Sequence, residues 1–322
     1  MKTKMVLTAL AMAVGMTAVG TAAAQQYPNK TITMYVAFSA GGTTDLTARA
    51  LAQGMEKILG VPVAVENKGG GGGTVSGALL AAQKPDGYTL LVASTGLLSM
   101  RPMMMKVAFK PSSFTPLIQY SEYVGSLTVR KDAPYDTIEK FVEHAKKNPG
   151  MTYASSGVNT QQQIGIETVA KCKGLTFKHV PQKGGSNSNT QLMGGHIDFI
   201  AGSGSHLPFV QQGEFRELLV LHRETRDPTK PDVPIMKDIG CPPSNPALGM
   251  IVVAPAGLPA DITKKLEQTL KKVTEEPSFQ TLLKKFNLPY DFKDSAQLKQ
   301  SLAKETEWYK KYLTDNNLML KK

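Results

Sequence analysis

Two cysteines, one tryptophan and five histidines in 322 residues restrict the chemistry open to this chain. Two cysteines cannot build a disulfide framework, and a chain of this length does not need one. The histidines (144, 179, 196, 206 and 222) show no metal-ligand spacing and no H-E-x-x-H occurs, so no metal or other cofactor is expected. No G-x-x-x-x-G-K-[ST] is present. The glycine run 69–73 fails G-x-G-x-x-G, because Thr74, Val75 and Ser76 stand where its third glycine would fall. Ala201-Gly202-Ser203-Gly204-Ser205 resembles a nucleophile elbow but lacks the outer glycines at 201 and 205. No repeat of 20–50 residues appears, which excludes solenoids.

What is present describes a folded, exported protein. Hydrophobic residues make up 41% and charged residues 20%, enough apolar surface to offset chain entropy and exclude disorder. Lys2 and Lys4 precede an uncharged Ala/Met/Leu-rich run over 5–18, and Ala22-Ala23-Ala24 stands just before Gln25. That is the layout of a cleavable signal peptide over 1–24, the apolar run being shorter than the ~20 residues of a spanning helix. No later stretch approaches 18 apolar residues without a charge. In an oxidising compartment Cys172 and Cys241 form either a bridge or two buried thiols, and the sequence leaves both open. Net charge is +11. Its lysine pairs (264–265, 271–272, 284–285, 310–311 and 321–322) have no interleaved aromatics, so they read as solvated helix faces and no nucleic-acid partner is expected.

Periodicity predicts two α/β domains. A β-branched strand over 31–38 is followed by Leu46, Ala50, Leu51, Met55 and Ile58 at helical spacing, with Gly60 as the stop. Strands over 61–65 and 88–93, with a small-residue helix over 75–83 between them, complete an apolar unit that suits a sheet covered on both faces. A strand-like pattern runs over 115–129. Asp136 and Glu139 then read as a capping box opening a second alternation of strands and helices up to about residue 221. A strand over 250–254 and three helical segments close the chain. The expected division is a first domain of 25–128 plus 249–322 and a second of 129–248. The chain would cross twice, near 127–131 and 245–250, which permits hinge closure.

In such folds ligands bind beyond the carboxyl ends of strands, at helix starts. Those positions hold 39–45 (SAGGTTD), 94–96 (STG), 155–160 (SSGVNT), 184–189 (GGSNSN) and 203–206 (SGSH). Each loop alone could be only a helix cap. Together they offer neutral N–H and O–H donors suited to a carboxylate or phosphate. The candidate ligand residues are Phe38, Ser39, Gly42, Thr43, Thr44, Thr95, Ser155, Ser156, Thr160, Ser186, Asn187, Ser203 and His206. Asp45 is assigned to support of the helix start. Met103, Met104 and Met105 read as core or as an apolar wall beside Phe38.

The motifs also carry a resemblance. Tyr27-Pro28-x-Lys30, Phe38-Ser39-Ala40-Gly41-Gly42-x-x-Asp45-x-x-Ala48-Arg49, Pro62-Val63-x-Val65-Glu66-Asn67-Lys68 and Pro85-Asp86-Gly87-Tyr88 are similar to the opening of the Bug family. His179-Val180-Pro181-x-Lys183-Gly184-Gly185, Leu192-Met193-Gly194-Gly195-x-Ile197-Asp198 and Ala254-Pro255-Ala256-Gly257-x-Pro259 extend it over the mature chain. Bug proteins are periplasmic solute receptors of tripartite tricarboxylate transporters. The resemblance implies a monomeric, periplasmic, two-domain Venus-flytrap protein that is not an enzyme. It would pin a small carboxylate between the two domains and present it transiently to membrane transporter subunits. Three segments depart from the family pattern: Ala40 replaces a proline, Gln182 replaces a tyrosine, and Arg101-Pro102-Met103-Met104-Met105 replaces a segment ending in Leu-Tyr. The alternatives are a ligand-sensing receptor for a membrane signalling protein, or a secreted hydrolase using Ser203 or Ser155 with His206. The absence of acidic residues other than Asp45 from the five loops predicts a ligand without an ammonium group, either a dicarboxylate or an aromatic carboxylate.

Overall fold

The computed structural model describes residues 27–222, 225–226, 230–243 and 248–320. The signal-peptide expectation lies outside these residues, as does part of the second crossing. The first lobe opens with strand β1 (Ile32–Val36), helix α1 (Thr43–Leu59), β2 (Val63–Asn67), α2 (Thr74–Ala81) and β3 (Thr89–Ser94). Two single-turn helices, α3 (Gly96–Ser99) and α4 (Arg101–Met104), lead to β4 (Phe114–Tyr123). The second lobe contains β5 (Ser126–Arg130), α5 (Ile138–Lys147), β6 (Met151–Ala154), α6 (Gln161–Lys173), β7 (Phe177–His179), α7 (Gly185–Met193), β8 (Phe199–Gly202), α8 (Leu207–Gln211) and β9 (Phe215–Val220). The chain then returns as β10 (Leu248–Pro255), α9 (Ala260–Glu275), α10 (Pro277–Lys285), β11 (Tyr290–Lys293) and α11 (Ser295–Asp315).

Each lobe is built on one mixed sheet, in the order β11-β4-β10-β3-β1-β2 and β7-β6-β8-β5-β9. Strand β1 runs parallel to β2 and β3, as the strand–helix alternation requires, with Tyr35 opposite Leu91. The returning β10 is antiparallel to β3 and β4. In β3, Leu90 and Val92 face the core under α1, α9 and α10, while Leu91 and Ala93 face the core that includes Leu80 of α2 and Leu298 of α11. Burial on both faces explains why this strand is an uninterrupted apolar run. Helix α1 contributes Ala48, Leu51 and Met55 to the first core and ends at Gly60, whose φ of 72° is the left-handed conformation that glycine adopts without penalty.

Two expectations are corrected. The pattern over 115–129 is not one strand: β4 pairs in the first sheet and β5 in the second, so the first crossing lies at Val124-Gly125 rather than near 127–131. The apolar period continues through the crossing, and a local pattern cannot report a change of partner. The cap of α5 is Thr137, whose hydroxyl accepts the Lys140 N–H at 3.3 Å, in place of the Asp136 box. Cys172 and Cys241, the pair left open by the sequence, are joined in a disulfide. Among the described residues no helix is long and apolar enough to cross a membrane.

Candidate functional site

The lobes touch through the loops at their strand ends. Ser39 donates its N–H to the Lys183 carbonyl at 3.2 Å, and its hydroxyl meets that of Ser186 at 2.8 Å. Ser186 also donates to the Ala40 carbonyl at 2.7 Å, and Thr43 donates to the Ser203 carbonyl at 3.0 Å. On another side, Ile164 of α6 packs with Tyr309 and Leu313 of α11, and the hydroxyls of Thr168 and Tyr312 lie 2.7 Å apart. Between the lobes lies a pocket. Phe38, Gly42, Thr43, Thr44, Ser94, Arg101, Tyr123 and Leu248 line it from the first lobe, and Ser156, Gln162, Gly185 and Ser203 from the second. Its free space is about 10 Å³, close to that of a single water. The lobes meet closely across this pocket, and a ligand enters it only when they part.

Two helices from opposite lobes start at this pocket. Neither α1, entered through Gly42, nor α7, entered through Gly184, has a side-chain cap. Their first-turn N–H groups and the positive ends of their dipoles therefore serve the space lined by Thr43, Thr44 and Gly185. Asp45 stands in the first turn of α1 but is fully engaged elsewhere. Its carboxylate accepts from the Gly41 N–H at 2.8 Å and the Asn67 amide at 2.9 Å, and pairs with Arg49 at 3.0 Å. Burial pushes its pKa up, but these donors outweigh burial and hold it below the usual range.

Six of the sequence-predicted residues line the pocket: Phe38, Gly42, Thr43, Thr44, Ser156 and Ser203. Ser39 and Ser186 bond the lobes to each other instead. The remaining five are elsewhere. Ser94 lines the pocket where Thr95 was expected, and the Thr95 hydroxyl accepts the Gly249 N–H at 3.2 Å. Ser155 donates to the Gly157 carbonyl and contacts His179 Nε2, both at 2.8 Å, while Thr160 caps α6. Asn187 is exposed. His206 is fully buried behind the loop: its Nδ1 accepts the Gly204 N–H at 3.2 Å, while Nε2 lies 2.8 Å from the Ser126 hydroxyl and 2.9 Å from Glu217. Both candidate nucleophiles, Ser203 and Ser155, are thus missing from the partners of His206. Ser126 and Glu217 share one ring nitrogen, whereas a triad needs the acid on the other. Burial pushes the Glu217 carboxyl up, but His206 and Lys230 outweigh it and bring it to about 2.

Sequence reasoning did not count Arg101, Tyr123, Gln162 or Leu248 as site residues, although all four line the pocket. Met103 and Met104 pack in the cluster around Tyr309, not against the pocket. Among the described residues no three His, Cys, Asp or Glu side chains converge where a metal ion could sit.

The profile of the tripartite tricarboxylate transporter family receptors matches residues 47–318. The chain belongs to this receptor family. A curated relative from Cupriavidus necator, named only as a protein in the gbd 5' region, is 34% identical over 290 residues, covering 88% of this chain and 86% of its own. The structure of the periplasmic binding protein BugD superposes with a TM-score of 0.86 at 26% identity, over 91% of this chain and 99% of that one. MatC from Rhodopseudomonas palustris, solved with bound malate, gives 0.80 at 25% identity, over 88% and 98%. The two-domain α/β architecture is thus that of periplasmic binding proteins, and this receptor places its helix-start loops where its lobes meet.

Proposed function

We propose that this receptor captures a small carboxylate between its lobes and presents it to the membrane subunits of a tripartite tricarboxylate-type transporter. In this reading the chain is exported to the periplasm behind a cleaved segment over 1–24, acts as a monomer, and catalyses no reaction. The observation that carries the reading is the convergence of two uncapped helix N-termini, from opposite lobes, on one pocket. Such a pair neutralises an anion without a metal and binds it only when the lobes are together. The likeness to a malate-bound receptor supports a carboxylate. No acidic side chain lines the pocket, and Asp45 is committed to Gly41, Asn67 and Arg49. A ligand ammonium would therefore be buried without a partner, which favours amine-free acids.

The test is calorimetry on the mature protein with aliphatic and aromatic mono-, di- and tricarboxylates, alongside aspartate and glutamate. Saturable one-to-one binding of an amine-free acid, with a smaller scattering radius at saturation than without ligand, is expected. Tighter binding of the amino acids, or no binding across the panel, would refute the reading.

A further inference from the structure

Arg101 is an unusual residue to find in a wall of neutral donors. It is 1% exposed, lines the pocket, and has no hydrogen-bond partner for Nε or Nη1. Burial lowers its pKa to about 10, so the guanidinium still carries its charge at neutral pH. A buried cation with two unpartnered nitrogens is a costly group for a fold to hold. Compensation from its surroundings is partial. Glu305 lies close enough to interact electrostatically, but its carboxyl bonds the Ser99 hydroxyl at 2.7 Å, and burial pushes it up to about 7. The backbone at Gly72 packs directly against the guanidinium, since a Cβ there would lie 2.7 Å from Nε, so only glycine allows this close approach.

We propose that Arg101 is the cationic anchor of the pocket, pairing with one carboxylate of a dicarboxylate whose other carboxylate is held at the starts of α1 and α7. This rests on the receptor reading above and deepens it. The pocket then presents two anion-binding features, a planar fork of donors and a pair of helix starts. A ligand with one carboxylate satisfies only one of them and leaves the other buried and unmatched. The unpaired charge is compensated on binding, a pattern expected of functional rather than structural groups.

The test compares wild type, Arg101→Gln and Arg101→Lys by calorimetry with succinate, malate and adipate, and with the monoamide of whichever binds tightest. Wild type should prefer the dicarboxylate over its monoamide by about tenfold to a hundredfold, the value of a hydrogen bond to a charged group. Arg101→Gln should erase that preference, mainly by weakening the dicarboxylate. Arg101→Lys should keep part of it, because lysine restores charge but not the fork. Ligand-free Arg101→Gln should melt no lower than wild type, since a buried charge with two unpartnered nitrogens has been removed. Equal dicarboxylate affinity in wild type and Arg101→Gln would overturn the proposal. So would an equal loss of both ligands together with a lower melting temperature, the result expected of a merely structural arginine. Should the glutamine variant fail to fold, Arg101→Lys decides alone: an unchanged preference for the dicarboxylate overturns the anchor. A wild type that binds another carboxylate but none of these three dicarboxylates overturns the anchor alone, whereas a wild type that binds no mono-, di- or tricarboxylate overturns the receptor reading as well, so the two failures differ.

Discussion

Closure is tested most directly at Gly184. This residue precedes α7 with φ 168° and ψ 174°, extended backbone that any amino acid adopts, so alanine there strains nothing within its own lobe. Its Cβ would nevertheless meet the Ser39 hydroxyl and lie 2.7 Å from the Ser39 backbone nitrogen in the opposite lobe. Carbon needs about 3.5–4.0 Å from its neighbours, so the closed lobes would have to separate by about 1 Å. Separation breaks the 3.2 Å bond from Ser39 N–H to Lys183 and loosens the Ser39–Ser186 pair. Overpacking of this kind costs about 1–3 kcal/mol, borne only by the closed state. Gly184→Ala should therefore weaken ligand binding by roughly 5- to 150-fold. Ligand-free stability should stay within about 0.5 kcal/mol of wild type, because opening relieves the clash. Calorimetry with the best-binding carboxylate and a thermal melt without it measure the two quantities. Unchanged affinity would refute closure at this contact. A drop in ligand-free stability as large as the loss of binding would place the strain inside a lobe.

Thr43→Ala removes the buried 3.0 Å bond to the Ser203 carbonyl across the lobes and should weaken binding by about 0.5–1.5 kcal/mol, read by the same titration; Ser156→Ala, altering a pocket-lining hydroxyl, should do likewise. Glu305 supplies a pH test. Its folded pKa, raised by burial to about 7 from 4.5, lets the native state bind more protons than the unfolded state between those values. Stability should accordingly fall by about 3 kcal/mol as pH rises from 4.5 to 7 and then level off, and Glu305→Gln should remove that decline in urea titrations at pH 5 and 8. Replacing Cys172 and Cys241 together by serine opens a linkage spanning 69 residues and should lower unfolding free energy by about 2–4 kcal/mol in denaturant melts, while leaving carboxylate affinity within about twofold.

Most elements were legible because their periodicity is local. The apolar strands, the stop at Gly60 and the Gly- and Ser-rich helix starts each depend on a few neighbouring residues. Direction and partnership are not local. Nothing within residues 248–255 indicates that β10 enters its sheet antiparallel, and nothing within 115–129 indicates that Val124-Gly125 separates two sheets. Strand β11 escaped notice because YDFK is short, half charged and only partly buried, without an apolar face to announce it.

The site divides along the same line. Loops could be placed from sequence because strand ends and helix starts define them, but side-chain direction within a loop alternates over single residues. Ser94 therefore reaches the pocket while Thr95 turns to Gly249, and Ser203 reaches it while His206 turns to Ser126 and Glu217. Arg101 shows a longer-range dependence. In the sequence it opens a run of prolines and methionines and reads as a departure from the family pattern. Its burial depends on α11, which brings Glu305 and Tyr309 beside it from some two hundred residues downstream. The returning segment therefore does more than complete the sheet: it removes the guanidinium from water and leaves the pocket as the direction from which an anion can reach it. A neutral, donor-only cleft would bind mono- and dicarboxylates with similar strength. A cleft with this arginine in its wall discriminates between them, and the residues that create the discrimination lie mostly outside the loops that define the site.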